Sequence, residues 1–221
     1  VPSWQEAMTK GQAVFQPLVG LAIDADDHVF AWYANRKRSV GWSGDLGNTV
    51  VDYVLPPGEE PEDLIGVAFN SAGKVYSWYR DGKRSIGTPN DLGAESTTTF
   101  SIPSGWDYDD IAGIAIRQSD DHVFAWSRTK RKFVEGTSTN LAGDVTSFVP
   151  DPNHSTFDIV EMDFASTGLV YAYYSDGMVS AGSPGHLGDA IAAYDTHLAP
   201  GASVSHDFHA EYNSITLAQL L

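Results

Sequence analysis

Four short stretches of this chain each place aromatic side chains near hydroxyls, amides or carboxylates, the groups that together grip a sugar. A saccharide ring offers flat C–H faces that an aromatic plane covers, and a fringe of hydroxyls that short polar side chains satisfy. In chain order the sets are Trp32 and Tyr33 with Ser43 and Asp45; Trp78 and Tyr79 with Thr88, Asn90 and Asp91; Trp126 with Thr137, Thr139 and Asn140; and Tyr173 and Tyr174 with Ser183 and His186. Other chemistries are poorly served. The chain has no cysteine, which removes disulfides, zinc ribbons, Fe–S clusters and thiol catalysis together. It carries no P-loop, HExxH or serine nucleophile-elbow pattern. With 29 Asp and Glu residues, chance carboxylate pairs are unavoidable, so a glycoside hydrolase is only a third reading. No catalytic residue, metal or cofactor is expected, and His28 and His122 read as caps or bridges of neighbouring turns.

These sets recur because the chain repeats itself. The quartets Phe30-Ala31-Trp32-Tyr33, Tyr76-Ser77-Trp78-Tyr79, Phe124-Ala125-Trp126-Ser127 and Tyr171-Ala172-Tyr173-Tyr174 have third residues 46, 48 and 47 positions apart. A period in that range marks small units that cannot bury a core alone and must stack. Each unit reads as four strands. The first is an apolar run suited to cover on both faces: Leu18 to Ile23, Leu64 to Phe69, Ile111 to Ile116 and Ile159 to Phe164. The second is the aromatic quartet, with large groups on both faces. A tight turn follows, and Asp81-Gly82 and Asp176-Gly177 predict type I′ hairpins. A short third strand ends at Gly41, Gly87, Gly136 or Gly182, and a Thr- and Val-rich fourth strand closes the unit.

Four antiparallel strands with both faces covered describe the blade of an all-β propeller in a single domain spanning 1–221. The repeats run over about 17–63, 64–110, 111–158 and 159–206. Carboxylates ahead of the first strands (Asp63, Asp110, Asp158) continue at Asp207. That rhythm predicts a partial closing blade from 207–221 joined to 1–16, hence five blades, with four as the alternative.

After each third-strand glycine comes a second recurring element: Trp42-Ser43-Gly44-Asp45-Leu46, Thr88-Pro89-Asn90-Asp91-Leu92, Thr137-Ser138-Thr139-Asn140-Leu141 and Ser183-Pro184-Gly185-His186-Leu187. Together with Asp27-His28-Val29-Phe30-Ala31-Trp32-Tyr33, Asp121-His122-Val123-Phe124-Ala125-Trp126 and Tyr79-Arg80-Asp81-Gly82, it resembles the repeat of the Photorhabdus-type fucose-binding propeller lectins. In size and rhythm the chain is also similar to the five-bladed tachylectins. The fourth unit departs from the pattern, with Tyr173 in place of Trp and His186 in place of Asp. The resemblance implies a multivalent, non-catalytic lectin for cell-surface glycans, fucose or a related sugar among them.

A structural use of the same residues competes with this one. Aromatics at matching strand positions commonly pack between blades, and the Asp-Leu pairs can close turns and plug the core. The formal charge of −16 argues against nucleic acid, because phosphate binding is driven by clustered Lys and Arg. The basic runs Arg36-Lys37-Arg38 and Lys130-Arg131-Lys132 fall at equivalent hairpin turns. No apolar stretch reaches the roughly 20 residues of a membrane helix, so no insertion is expected. Partners are then glycans or glycoconjugates, with a homo-oligomer compatible. The compartment stays open between secreted and cytoplasmic, with action on extracellular glycans favoured. A propeller serving as a protein-interaction or toxin-associated module is the second reading.

Overall fold

The computed structural model describes residues 18–42, 46, 50–188 and 190–193, which form four antiparallel four-stranded sheets. The first blade holds β1 (Leu18–Ile23), β2 (Val29–Tyr33), β3 (Lys37–Gly41) and β4 (Val50–Asp52). The second holds β5 (Leu64–Phe69), β6 (Val75–Tyr79), β7 (Lys83–Thr88) and β8 (Asp91–Thr99). The third holds β9 (Ile111–Arg117), β10 (His122–Ser127), β11 (Lys132–Gly136) and β12 (Val145–Ser147). The fourth holds β13 (Ile159–Phe164), β14 (Val170–Tyr174), β15 (Met178–Gly182) and β16 (Ala190–Ala193). Every sheet is a meander in chain order. The register repeats as well: Ala31 pairs with Leu21, Ser77 with Val67, Ala125 with Ile114 and Ala172 with Met162.

The inner strands β1, β5, β9 and β13 surround a common axis, each touching the next and β13 touching β1. Because every blade is covered on both faces, the core is divided among four seams. Trp32, Tyr53, Val67 and Leu92 fill the first seam, and Trp78, Phe100, Ile114 and Leu141 the second. Trp126, Phe148, Met162 and Leu187 fill the third, and Leu21, Ile23, Tyr171 and Leu46 the last. The last seam joins the fourth blade directly to the first. Ser166 donates from its backbone N–H and Oγ to the Asp27 carboxylate at 2.8 and 2.7 Å. Ser71 does the same to Asp121 between the second and third blades, at 2.7 and 2.8 Å. The ring therefore closes with four blades. The stretches 207–221 and 1–16, expected to complete a fifth, lie outside the described residues.

The hairpin turns correct one expectation. Type I′ requires positive φ at both central residues. Here Gly82 and Gly177 have φ of 81° and 84°, while Asp81 and Asp176 stay out of the left-handed region. The glycine N–H instead donates back to Tyr79 or Tyr174. In the first and third blades Arg36 and Arg131 take up the left-handed position, at φ 60° and 52°.

A ring this small demands small residues where inner strands converge. A Cβ on Gly66 would lie 2.7 Å from Ile114 Cβ and 3.0 Å from its carbonyl oxygen, and one on Gly20 would lie 2.8 Å from Val67 Cγ2. Gly66→Ala must push the second and third blades apart, and is expected to lower stability by about 1–3 kcal/mol. Thermal or chemical unfolding checks this, and an unchanged midpoint would contradict the packing described.

Candidate functional site

The three tryptophans of the aromatic quartets are sealed. Trp32, Trp78 and Trp126 are each 0% exposed. Each crosses a seam and donates its indole N–H to a carbonyl in the next blade's turn: Trp32 to Pro89 at 3.1 Å, Trp78 to Ser138 at 3.1 Å and Trp126 to Pro184 at 2.9 Å. The neighbouring tyrosines are buried too. Tyr33, Tyr79 and Tyr174 bond the hydroxyls of Ser39, Ser85 and Ser180 at 3.2, 3.0 and 3.0 Å, and Tyr173 packs in the last seam. Burial pushes the phenols of Tyr33 and Tyr79 well above their ordinary range. The sequence expectation that Trp32, Tyr33, Trp78, Tyr79, Trp126, Tyr173 and Tyr174 stack on sugar is therefore corrected. Their ring faces are spent on packing between blades.

The polar half of the sets lies at the surface, in the turns that receive those indoles. Thr88, Asn90, Thr137, Thr139, Asn140, Ser183 and His186 are exposed and Asp91 is half-buried. Ser43 and Asp45 lie outside the described residues. Most of these groups also hold their own turn. Asp91 Oδ1 accepts the N–H of Gly93, Asn140 Oδ1 that of Ala142, and His186 Nδ1 that of Gly188. Any acceptor serves there, which is why His can stand where other units carry Asp or Asn. Thr88 and Thr137 Oγ1 accept the N–H three residues on. Asn90 Oδ1 is taken by Arg38, whose Nε donates at 2.8 Å. The leucine that follows is fully buried in all four turns (Leu46, Leu92, Leu141, Leu187). Backbone bridges then tie the turn to the tail of the preceding blade, pairing Val54 with Asp91, Ser101 with Asn140 and Val149 with His186.

An exposed aromatic does exist on this rim, at a position the sequence reading passed over. Trp42 heads the first turn, where the other units carry Thr88, Thr137 and Ser183, and it is 52% exposed. The His28 ring packs against it at 4.6 Å between centroids. The signal was available: an indole at a turn position that other repeats fill with hydroxyls has no packing reason to be there. The third blade carries the matching histidine. His122 lines an open groove of about 610 Å³ with Phe133, Glu135, Thr137, Asp144 and Thr146. Its Nδ1 lies 2.6 Å from Glu135 Oε1, which also takes Arg117 at 2.8 Å.

Asp24, Asp26 and His28 bring ligand-type atoms within 4.8 Å of one another. Asp24 Oδ1, however, accepts the N–H of Asp26 and of His28. Asn70 does the same for Ala72 and Lys74 in the second blade, so this is turn closure.

The repeat breaks most sharply at the axis. The inner strands place Gly20 and Ala22, Gly66 and Ala68, and Gly113 and Ala115 at matching positions, where β13 has Glu161 and Asp163. Both carboxyls are buried. Asp163 Oδ2 accepts the N–H of Ile23 at 2.7 Å across the last seam, and its Oδ1 that of Phe164 at 2.8 Å. Glu161 Oε1 accepts the N–H of Met162. Burial pushes both groups above the usual carboxylate range, against the pull of these N–H donors, and the charge of Asp163 raises Glu161 further.

No protein-family model matches this chain, and neither does any curated protein. Among solved structures it is similar to a protein of unknown function from Bacteroides caccae, at 10% identity and a TM-score of 0.41 over 75% of this chain and 56% of that one. It is similar to a symmetrical protein described as shaped by folding constraints during de novo evolutionary emergence, at 12% and 0.47 over 79% and 78%. It is also similar to the virginiamycin B lyase of Staphylococcus aureus, at 15% and 0.39 over 74% and 51%. The chain thus spans only about half the length of the Bacteroides protein and of the lyase.

Two outcomes follow from this geometry. Trp78→Ala empties a seam and is expected to cost about 3–5 kcal/mol of stability, read by denaturant unfolding. For Glu161 the folded group holds its proton more tightly than the unfolded one. Its contribution is therefore fully present below the unfolded carboxylate range and lost as pH rises through the folded value. Glu161→Gln is expected to flatten that fall in midpoint between acid and neutral pH, and identical pH profiles for the two proteins would refute it.

Proposed function

We propose that this protein is a multivalent carbohydrate-binding lectin without catalysis, whose sugar contacts lie on the outer rim. The observation that carries this reading is Trp42: a half-exposed indole backed by His28, at the turn position where the other blades present hydroxyls. An aromatic face open to solvent is what a sugar's C–H face requires. A separate groove beside His122 on the third blade gathers Thr137, Thr146, Asp144 and Glu135 around a half-buried Phe133. The sequence resemblance to fucose-binding propeller lectins points to fucose or a related sugar as the first ligand to try.

Affinity at one shallow rim site is expected near −4 kcal/mol, a millimolar constant. Two or more sites on one ring meeting a glycan-coated surface raise the effective affinity by roughly 10² to 10⁴ without new contacts. Catalysis has little to recommend it. The most buried carboxyl pair, Glu161 and Asp163, is turned to backbone N–H groups, a structural use.

Exposed Val54, Val149 and Phe157 favour the second reading, a protein-interaction platform. A stoichiometric protein partner that free sugars fail to displace would select it. The deciding experiment is a glycan array with wild-type protein and Trp42→Ala. The variant is expected to melt with the wild type and to lose roughly tenfold or more in binding, about 1.4 kcal/mol. An array with no hit, or hits that Trp42→Ala leaves unchanged, sinks the lectin reading.

A further inference from the structure

The connection leading from the third blade into the fourth is tied down by one imidazole. His154 lies flat on the Tyr174 ring, with centroids 4.0 Å apart and planes 17° apart. Its Nδ1 is 2.7 Å from Asp151 Oδ1 and its Nε2 is 2.9 Å from Asp176 Oδ2. The His154 side chain is 9% exposed and that of Asp151 is sealed, while Asp176 stands half-exposed at the β14–β15 turn. Both carboxylates act as acceptors elsewhere too: Asp151 Oδ1 takes the N–H of Asn153, and Asp176 Oδ1 that of Met178. An ionised carboxylate has no proton to give, so each ring nitrogen must donate. Neutral imidazole has one N–H and can serve only one of the two acids, whereas imidazolium serves both. The geometry therefore selects the charged ring.

The second blade builds the same tie from a permanent charge. Glu59 stands four residues before Asp63, as His154 stands four before Asp158, and Asp81 heads the turn that matches Asp176. Lys83 donates to Glu59 Oε1 at 2.7 Å and pairs with Asp81. The fourth blade has Met178 in place of Lys83, and its cation sits on the connection instead. In both blades one cation between two carboxylates fastens the connection to the hairpin turn. Lysine keeps its charge far above neutrality, but imidazole does not.

We infer that the fourth-blade tie is a pH-sensitive latch: protonated His154 holds residues 151–155 against the β14–β15 turn, and loss of its proton releases them. The bond from Thr156 Oγ1 to the Arg128 carbonyl does not titrate, so the release is confined to the residues before it. The groups facing the ring are the Asp151 and Asp176 carboxylates at its edge and the Tyr174 phenol across its face. Burial works against charge on the ring, but the hydrogen bonds to Asp176 and Asp151 outweigh it, and folded His154 holds its proton more tightly than an ordinary imidazole. Burial raises the Tyr174 phenol above its usual range, so that group stays neutral through the same titration. The latch is therefore fully closed below the unfolded imidazole value, and its stabilisation is lost as pH rises through the folded one.

NMR titration of the His154 ring in the wild-type protein tests the latch directly, apart from any other titrating group. The ring is expected to be doubly protonated at neutral pH, with a midpoint above the ordinary imidazole range. The backbone amides of 153–155 are expected to gain mobility with that same midpoint. Thermal unfolding is then compared for wild type, His154→Gln and Lys83→Gln over roughly pH 6 to 9, the span in which imidazole titrates. The wild type is expected to melt above His154→Gln at the acid end and to lose that advantage as pH rises. Lys83→Gln is expected to melt below wild type across the whole span. A ring that titrates at or below the ordinary value, amides of 153–155 unmoved across its titration, or parallel wild-type and His154→Gln profiles would each overturn the latch. Should His154→Gln fail to fold, the ring and amide measurements on the wild type decide. None of these readouts involves the rim, so the lectin reading stands or falls separately.

Discussion

The indole N–H that each of the first three blades extends into the next blade's turn is the contact on which the ring depends. A buried Trp must find an acceptor for its single donor, and in these three blades it is a carbonyl of the turn one blade away. Trp32, Trp78 and Trp126 thereby fix the spacing between neighbouring sheets to within a hydrogen bond. Everything at the rim follows from that lock. The turn's leucine drops into the seam, its acidic, amide or imidazole residue closes the backbone, and a parallel bridge binds the turn to the preceding blade's tail. The head of the turn stays at the surface, where Thr88 and Thr137 each accept one backbone N–H of their own turn.

Four blades impose a second constraint, felt at the centre. Inner strands that close around so narrow an axis allow little beyond Gly and Ala on the converging face, as the contacts of Gly20 and Gly66 make plain. The edges of those strands still present backbone N–H groups that no sheet neighbour bonds, and such groups are costly to bury unpaired. Asp163 meets this need for the first blade from the fourth, and Gln118 Nε2 reaches the Ile23 carbonyl at 2.8 Å from the third. A carboxyl is an expensive way to satisfy an N–H in a dry interior, so its confinement to one blade in four is physically reasonable.

How much of this the sequence disclosed depends on whether a property repeats. The strands were legible: β1 and β5 have the bounds that unbroken apolar runs announce, because cover on both faces erases alternation, and β13 keeps its expected bounds despite Glu161 and Asp163. The leucine plugs were legible for the same reason. The fate of the tryptophans was not. An aromatic beside hydroxyls in sequence has the same appearance whether it faces a sugar or the next blade, and only the seam decides. The blade count hung on 207–221 and 1–16, whereas closure is settled by pairs such as Ser166 and Asp27, 139 residues apart, which no local pattern reveals. The hairpin type failed on a single angle, since Asp-Gly is compatible with more than one turn in which only the glycine is left-handed.

The rim position of Trp42 can be argued from the same lock. A residue that both packs a seam and binds a ligand must satisfy two geometries at once, and close packing leaves it little freedom to change partners. Repetition removes the conflict by splitting the work. The buried Trp of the first three quartets sets blade spacing and is held by it, while the turn's first residue stands clear of the seam and, in the second and third blades, only helps to close its own turn. That residue is Trp in one blade, Thr in two and Ser in one, a variation packing would not tolerate and ligand contact would exploit. His28 and His122 fall on the first and third blades, opposite one another around the ring, so the rim carries two related faces rather than four. Under the proposed lectin reading, two outward-facing sites on a rigid ring would suffice to bridge glycans on a surface, leaving the other blades to serve the fold.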